Sequence, residues 1–498
     1  MNLFVGLGGA TRNACATLCT GDAILGICEQ ERITRVRAAG FNRTGVPDEA
    51  LDELLHRSGR QRSEVIAFAL AEPVHGAIAG TDLVRLDHHF AHACSAFLPS
   101  PFDSATIVIC DNESPQVSVW DGNGRTITQI EWPWRSQGFA EVYSQSAEAL
   151  GFAAGGHEQR MEALARLDPG RRDDRATEIL SLESDRLQLA PDWQARIESW
   201  AGTGEGFNIA PVAAAVQGRI GDLLVEFLRE VRRRAPVRRR LCVGGSLFSN
   251  SHFNSMVKCC DAFDRVFTPI NPGNAGLSVG AGLHASGQVR RAVAPFLGPS
   301  YSAEEIKATL DNCKLTYQWV SERDRIAMVV QALQKGRLVA WFDGPMEWGP
   351  RALGARSIVA SPFAPYVLEN LNRFLKRRDM WRGYALSGLE PAVHVHFDGP
   401  EDSPFMECDY VPRDPTFFRH ILPGPHATVR VQTVGSSAPP RFRELLRAFG
   451  EESGIPILVN TSFNGFREPI VCSPNDAVRV FFGSGLDMLV LGEFVISK

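Results

Sequence analysis

Apolar and polar positions along this chain fall into short, sharply bounded blocks that switch between two periods. Over Val65–Leu70, and in ATIVICD ending on Asp111, apolar residues run unbroken for the length of one buried strand. The opening LFVGLGGATRNACATLC and the following AILGICEQERITR predict two strands joined by a hairpin at Thr20–Asp22, with a Gly-rich turn at Gly6–Gly9. VSVWDGNGR predicts a hairpin turning on Asp121–Gly124. Helices are predicted over Pro47–Ser58 and over Arg85–Leu98, where alanine and other helix formers dominate. Ile209, Val212, Val216, Ile220, Leu223 and Leu224 recur at helical spacing, so Asn208–Val231 reads as a strongly amphipathic helix. Pro169–Glu205, charged and weakly periodic, reads as an exposed helical insertion.

LCVGGSLFSN predicts a buried strand that breaks at Gly244–Gly245, and Val266–Ser286 a short strand, a loop and a small-residue helix. The Pro/Gly-punctuated connection Arg290–Ser302 is the best domain boundary, dividing residues 1–295 from 296–498. Beyond it, helices are predicted at Ala303–Asp311, Asp324–Gln334, Phe442–Glu452 and from Pro474. Strands are predicted at LVAWF, Thr428–Val434, IPILVN and, as one final strand, MLVLGEFVIS. Glu390–Pro425 is proline-rich and reads as irregular. This alternation predicts an α/β (mixed α+β) chain of mixed sheets with helices packed on them. No internal repeat is visible.

Composition narrows the function classes. At 498 residues the chain is long enough for two or three domains, and 44% hydrophobic with 22% charged residues is ordinary for a globular protein. A net charge of -5 argues against general nucleic-acid binding, so the local run Arg229–Arg240 reads as a solvated helix end. No apolar run reaches membrane-spanning length and no lipidation signal is present. The eleven cysteines are scattered without CxxC pairs, which points to reduced thiols in the cytoplasm.

Three stretches carry candidate chemistry. WFDGPMEWGPRALGARSIVASP and the nearby NRFLKRRD interleave Arg351, Arg356, Lys376, Arg377 and Arg378 with glycine and proline. Guanidinium forks on tight turns suit an anionic, phosphate-bearing small molecule, although a solvated arginine face has the same composition. His88 and His92 share one helix face and can chelate one metal, with Asp111 at the end of the next strand as a third ligand. Histidines that merely cap or pack have the same spacing, and His89 projects elsewhere, as an outer or substrate group. The glycine turns at Gly244–Gly245 and Gly273–Gly276 stand at helix starts, where N–H groups can meet phosphates or where close packing alone requires glycine.

Taken together, HHFAH with Asp111, FNIAPVAAAVQ, LCVGGSLFSN, PGNAGLSVGAG, MEWGPRALGARSI, NRFLKRRD and LVNTSFNGFREPIVCSP resemble the ATP-dependent O-carbamoyltransferases of antibiotic tailoring and nodulation-factor synthesis. The resemblance runs nearly end to end. It implies an actin-like (ASKHA-type) amino-terminal domain and a mixed-sheet carboxyl-terminal domain similar to threonylcarbamoyl-adenylate synthases. It further implies that the second domain makes carbamoyl-adenylate from carbamoyl phosphate and ATP, with Mg2+. The first then transfers the carbamoyl group to a hydroxyl of a small secondary metabolite, using a divalent metal that is Fe2+ in the family. By position, Arg351, Arg356, Ser357, Lys376, Arg378, Arg382, Arg430, Ser462 and Asn464 would hold carbamoyl phosphate and ATP, with Arg351, Lys376, Arg378 and His92 catalytic. His88, His92, Asp111 and Asn274 would hold the metal, and Gly244, Gly245, Asn250, Gly273 and Gly276 the adenylate. Nucleic acid and membrane are not expected partners, and a homodimer is an open assembly state.

The chain departs from that pattern at identifiable places. Asn274 stands where the family usually has an aspartate ligand, so metal affinity should fall. TRNAC at Thr11–Cys15 lacks the usual histidine, Glu162 stands where glycine is usual, GPHATVRVQ replaces DGTARVQ, and RGYAL replaces RPFAP. The alternative reading is therefore a diverged relative that carbamoylates an amine, uses another activated acyl group or only binds the nucleotide. A non-catalytic interaction protein is the third reading.

Overall fold

The computed structural model describes residues 2–71, 82–132, 134–153, 156–183, 186–235, 238–288 and 292–498. Three large sheets organise it. The first runs Ile24–Glu29, Cys15–Cys19, Leu3–Gly8, Val65–Leu70, Asp82–Arg85. The second runs Thr126–Ile130, Val117–Asn123, Ser104–Cys110, Arg240–Gly244, Arg265–Phe267. Both place a three-stranded antiparallel meander beside two parallel strands in the same order. This duplicated topology fits the expected actin-like architecture, and it is a repeat of fold without a visible repeat of sequence.

Helices His88–Phe97 and Leu277–Ser286 pack on each other, and the second lies along the strand Leu3–Gly8. The contact needs small residues. A Cβ on Gly6 would sit 1.9 Å from the Ser278 carbonyl oxygen, and one on Gly280 2.3 Å from Ser95 Oγ. Helix Ala210–Arg234 buries its predicted apolar stripe, Val212, Val216, Ile220, Leu223 and Leu224, against Phe139, Val142 and Leu164.

The third sheet is mixed and ten-stranded, and all of it comes from residues 318–498. Its order is Gln318–Trp319, Phe494–Ser497, Met488–Leu491, Val339–Phe342, Arg356–Ala360, Ile457–Ser462, Ala385–Leu389, Val429–Val434, Cys408–Pro412, Phe397–Asp398. Of the predicted connection, Arg290 and Arg291 lie outside the described residues. The rest is stitched to both halves, since Ile27 N–H donates to the Leu297 carbonyl (2.9 Å) and Gly298 N–H to that of Met346 (2.9 Å).

Several expectations are corrected. The opening block is two strands rather than one, because Gly9, at φ +79°, turns the chain. The second-sheet hairpin turns later than predicted, at Gly124, with Asp121 paired in the ladder. Residues 169–205 contain a β-hairpin, Leu180–Glu183 with Arg186–Leu189, and bury Ile179, Leu180, Trp193 and Ile197, so the segment is not simply exposed helix. Residues 390–425 hold the helix Glu390–His396 and the strand Cys408–Pro412. The final strand is a hairpin reversed at Gly492, at φ +59°. No described helix is long and apolar enough to cross a membrane.

Candidate functional site

Asp87 caps helix His88–Phe97 by accepting the Phe90 N–H (2.9 Å), which fixes where the histidines emerge. His88 Nε2 lies 3.1 Å and His92 Nε2 3.7 Å from Asp111 Oδ2, just past the end of the central strand of the second sheet. Asp111 Oδ1 accepts the Ser246 N–H (2.8 Å). Burial pushes the Asp111 carboxyl up, but the hydrogen bond with His88 and the nearness of His92 outweigh it and hold it far below the usual range. The three donor atoms lie within 4.8 Å of one another. His92 Nε2 is buried without a hydrogen bond. Two imidazole nitrogens and a carboxylate at this spacing, one of them otherwise unused, fit a divalent cation. His89 points away, bonded to Ser118 Oγ (2.7 Å) and the Glu113 carbonyl (3.1 Å).

The glycine turns beside this cluster divide into two kinds. Gly245, at φ +96°, lies so close to the Asp111 backbone that a Cβ would meet the Cys110 carbonyl oxygen at 2.2 Å, and Gly276 is similarly pressed on Asn271. Packing accounts for both. A Cβ on Gly273 would meet nothing closer than Asn271 Oδ1 at 3.5 Å, so packing does not demand glycine there. Gly245 N–H donates to the Pro272 carbonyl (3.0 Å), so the turn carrying Gly273 and Asn274 lies beside the cluster. Asn250 is already engaged, capping the next helix at His252 N–H (2.9 Å) and donating to Gln217 (3.0 Å).

The arginine-rich turn lies at one end of the middle strands of the third sheet. Asn460 Nδ2 donates to the Ala352 carbonyl and Gln432 Nε2 to that of Leu353, each at 3.1 Å. Glu347 Oε1 accepts the N–H groups of Leu353 (2.7 Å), Ala355 and Arg356 (both 3.2 Å). The amino-terminal half then clamps Gly349, whose N–H donates to Glu29 Oε1 (2.7 Å) and whose carbonyl accepts Arg32 Nη2 (2.9 Å). Neither Glu29 nor Arg32 carries a local signal in the sequence, and both were missed.

The turn separates its arginines. Arg351 is half-buried, with one hydrogen bond, to the Ser249 carbonyl (3.2 Å). Arg356 is fully buried and stacked 3.5 Å over the Phe342 ring. Its guanidinium donates to the carbonyls of Gly344 (3.0 Å), Ala355 (3.0 Å), Asp343 (3.4 Å) and Pro299 (3.3 Å). Ser357 is also fully buried, its Oγ accepting the Gly354 N–H (3.1 Å). In this arrangement Arg356 and Ser357 brace the loop from within, and Arg356 Nε is left without a hydrogen bond among the described residues.

Other predicted residues do converge. Lys376 Nζ donates to Ser462 O (2.6 Å), Asn464 O (3.1 Å) and Asn464 Oδ1 (2.7 Å). Arg378 lies 4.0 Å over the Tyr384 ring and donates to Asn372 Oδ1 (2.8 Å). Burial, then the charge of Arg378, pulls Lys376 well below its ordinary pKa and Arg382 to about 10. Burial, then Arg430, pulls Arg351 to about 9. These shifts mark crowded cations short of counter-charge.

At the seam between the halves, Glu162 Oε1 accepts Arg430 Nη2 (2.9 Å), Ser251 N–H (2.9 Å), Ser251 Oγ (2.8 Å) and Arg166 Nη2. Arg166 Nε also donates to both Asp409 oxygens at 3.0 Å. Arg166, Ser251 and Asp409 are far apart in the chain, so nothing in the sequence joins them. The short segment Ser246–Ser251 therefore touches Asp111 at one end and Arg351, Glu162 and Asp409 at the other.

Residues 64–283 match the carbamoyltransferase N-terminus and residues 330–498 the carbamoyltransferase C-terminus. An uncharacterised protein of Synechocystis is 30% identical over 83% of this chain and 76% of its own length. Nodulation protein NolO of Bradyrhizobium diazoefficiens is 28% identical over 83% of this chain and 79% of its own. The 3'-hydroxymethylcephem-O-carbamoyltransferase of Amycolatopsis lactamdurans is 28% identical over 63% of this chain and 59% of its own. Among solved structures, the activator of the 2-hydroxyisocaproyl-CoA dehydratase from Clostridium difficile aligns at TM-score 0.39 and 11% identity, over 63% of this chain and 98% of its own, a likeness too distant to inform the site. Two matched regions that cover both halves, with a relative at this identity over most of both chains, establish that the chain belongs to the carbamoyltransferase family.

Proposed function

We propose that this protein is an ATP-dependent O-carbamoyltransferase that activates carbamoyl phosphate at the arginine-rich turn of the third sheet and transfers the carbamoyl group at the His88–His92–Asp111 cluster. The observation that carries this reading is the segment Ser246–Ser251, which bonds to both places. Five residue steps span at most about 17 Å even when extended, so the two sites are near neighbours.

In the first half-reaction, water releases phosphate from carbamoyl phosphate and leaves carbamate. A carbamate oxygen attacks the α-phosphorus of ATP, and the bond to pyrophosphate breaks. Arg351, Arg430, Arg378 and Arg382 bind and orient the phosphate oxygens by charge-assisted hydrogen bonds. Lys376, held by Ser462 and Asn464, adds a donor at a fixed position. Arg356 and Ser357 keep the loop in place. In the second half-reaction an acceptor hydroxyl oxygen attacks the carbamoyl carbon, the bond to AMP breaks, and the hydroxyl proton passes to a base. A divalent cation held by His88, His92 and Asp111 would polarise the carbonyl as a Lewis acid. The acceptor is a small hydroxylated metabolite, and the two domains are residues 1–295 and 296–498.

Carbamoyl-dependent exchange of pyrophosphate into ATP tests the first half, and carbamoylation of supplied acceptors tests the second. Absence of any carbamoyl-dependent exchange, across several divalent metals, would rule out the adenylate route.

A further inference from the structure

We infer that Glu162 is a resident anion in the seam, its carboxylate occupying the place that a ligand's phosphate group takes beside Arg351 and Arg430. This rests on the reading that the arginine-rich turn binds a phosphate-bearing ligand. Glu162 is buried, comes from the amino-terminal half, and directs one oxygen at donors from both halves. Of those donors, Arg166 is independently held by Asp409, and the single Ser251 hydroxyl proton can go to Asp409 Oδ1 (2.7 Å) in place of Glu162. Those two stay in place whatever Glu162 does.

Arg430 and Arg351 differ. Arg430 has a buried Nε without a hydrogen bond, and its guanidinium is committed to Glu162 alone among the described residues. Arg351, among the described residues, bonds to a backbone carbonyl alone. Arg430 bonds to this singly charged carboxylate and Arg351 lies within electrostatic range of it, so the two under-used forks form a site that a doubly charged phosphoryl group fills better, because it offers more oxygens and more charge. Glu162 thus sets a threshold. A phosphate or pyrophosphate group displaces it, whereas a singly charged anion of its own kind gains nothing by exchange.

The test is calorimetric titration of the full chain with inorganic pyrophosphate alone at low ionic strength. Glu162→Gln keeps the side-chain shape and removes the competing charge, so pyrophosphate should bind about five- to tenfold tighter, the size of one partly screened charge at short range. Unchanged or weaker binding overturns the inference. Glu162→Asp keeps the charge and should stay within about twofold of the wild type; tightening like that of the glutamine variant would mean that shape, not charge, is responsible, and overturns it. Adding Arg430→Ala to Glu162→Gln should remove the gain, and a gain that survives places the effect elsewhere and also overturns it. Failure of wild type and Glu162→Gln alike to bind pyrophosphate does the same. If pyrophosphate responds as expected while carbamoyl-dependent exchange is absent, the role of Glu162 stands and the carbamoyl reading falls.

Discussion

The histidine cluster and the arginine-rich turn are built by opposite means. At the cluster, one turn of a capped helix sets His88 over His92, and the next strand in the chain, reached through residues 98–103, delivers Asp111 just past its end. At the arginine-rich turn, Glu347, Gln432 and Asn460 hold the chain from its own side, and Glu29 and Arg32 reach Gly349 from the other half. Rigid local elements make the first site, and tertiary contacts make the second. A site of the second kind is easily misread, as Arg351 and Arg356 show: they share a motif, yet one has a single hydrogen bond and the other four carbonyl partners and a ring.

The strongest way to break this comparison is to remove one arginine. Arg351→Ala should lower carbamoyl-dependent ATP–pyrophosphate exchange by roughly a hundredfold or more, since charged hydrogen bonds acting on the transition state are worth on the order of 1.5–3 kcal/mol each. Thermal unfolding should barely move, because Arg351 makes one bond. Normal exchange in this variant would make the turn merely structural.

His92→Ala should do the reverse. Exchange stays near wild type, while acceptor carbamoylation from supplied carbamoyl-adenylate falls by roughly tenfold to a hundredfold, the scale of a lost ligand contact. If both variants lose the same half-reaction, the two sites are one.

Arg356→Met sharpens the contrast within the turn. It leaves buried carbonyls without donors, so chemical denaturation should show a loss of about 3–5 kcal/mol. An unfolding midpoint equal to that of the wild type would return Arg356 to the ligand contacts.

The smallest effect concerns acid. Burial raises the Glu162 carboxyl, but Arg166 and then Arg430 outweigh it and hold it well below its ordinary value of 4.5. The unfolded chain therefore binds the proton first as pH falls. The stability Glu162 contributes is complete above its ordinary range and is lost as pH drops toward the depressed native value. Between pH 5 and 3, wild-type stability should fall more steeply than that of Glu162→Gln, and parallel slopes would show that Glu162 is not charged in the seam.

Much of this was legible in the chain. Unbroken apolar runs marked Val65–Leu70 and Ser104–Cys110, and the 3.6 period marked Ala210–Arg234, because burial on a strand or a helix face imposes those spacings. The segments at 169–205 and 390–425 were misjudged because their hairpin and strands gain their burial from neighbours remote in the chain. His88, His92 and Asp111 come together as their spacing predicted, since a helix turn and a strand end are local geometry. Lys376, Ser462 and Asn464 converge too, but only because Ile457–Ser462 pairs with Arg356–Ala360 and thereby brings Ser462 to the same end of the sheet.

What the sequence determined by itself is the identity and local spacing of the chemical groups, because helix pitch and strand alternation follow from a few neighbouring residues. What only the tertiary structure decided is the partner each group meets. It committed Arg356 to backbone carbonyls and left Arg351 half-buried beside Ser249. It also closed Glu162, Arg166, Ser251, Asp409 and Arg430 into one cluster. Those outcomes depend on burial and on chain segments brought together by the whole fold. A buried charge has to find a partner wherever packing places one.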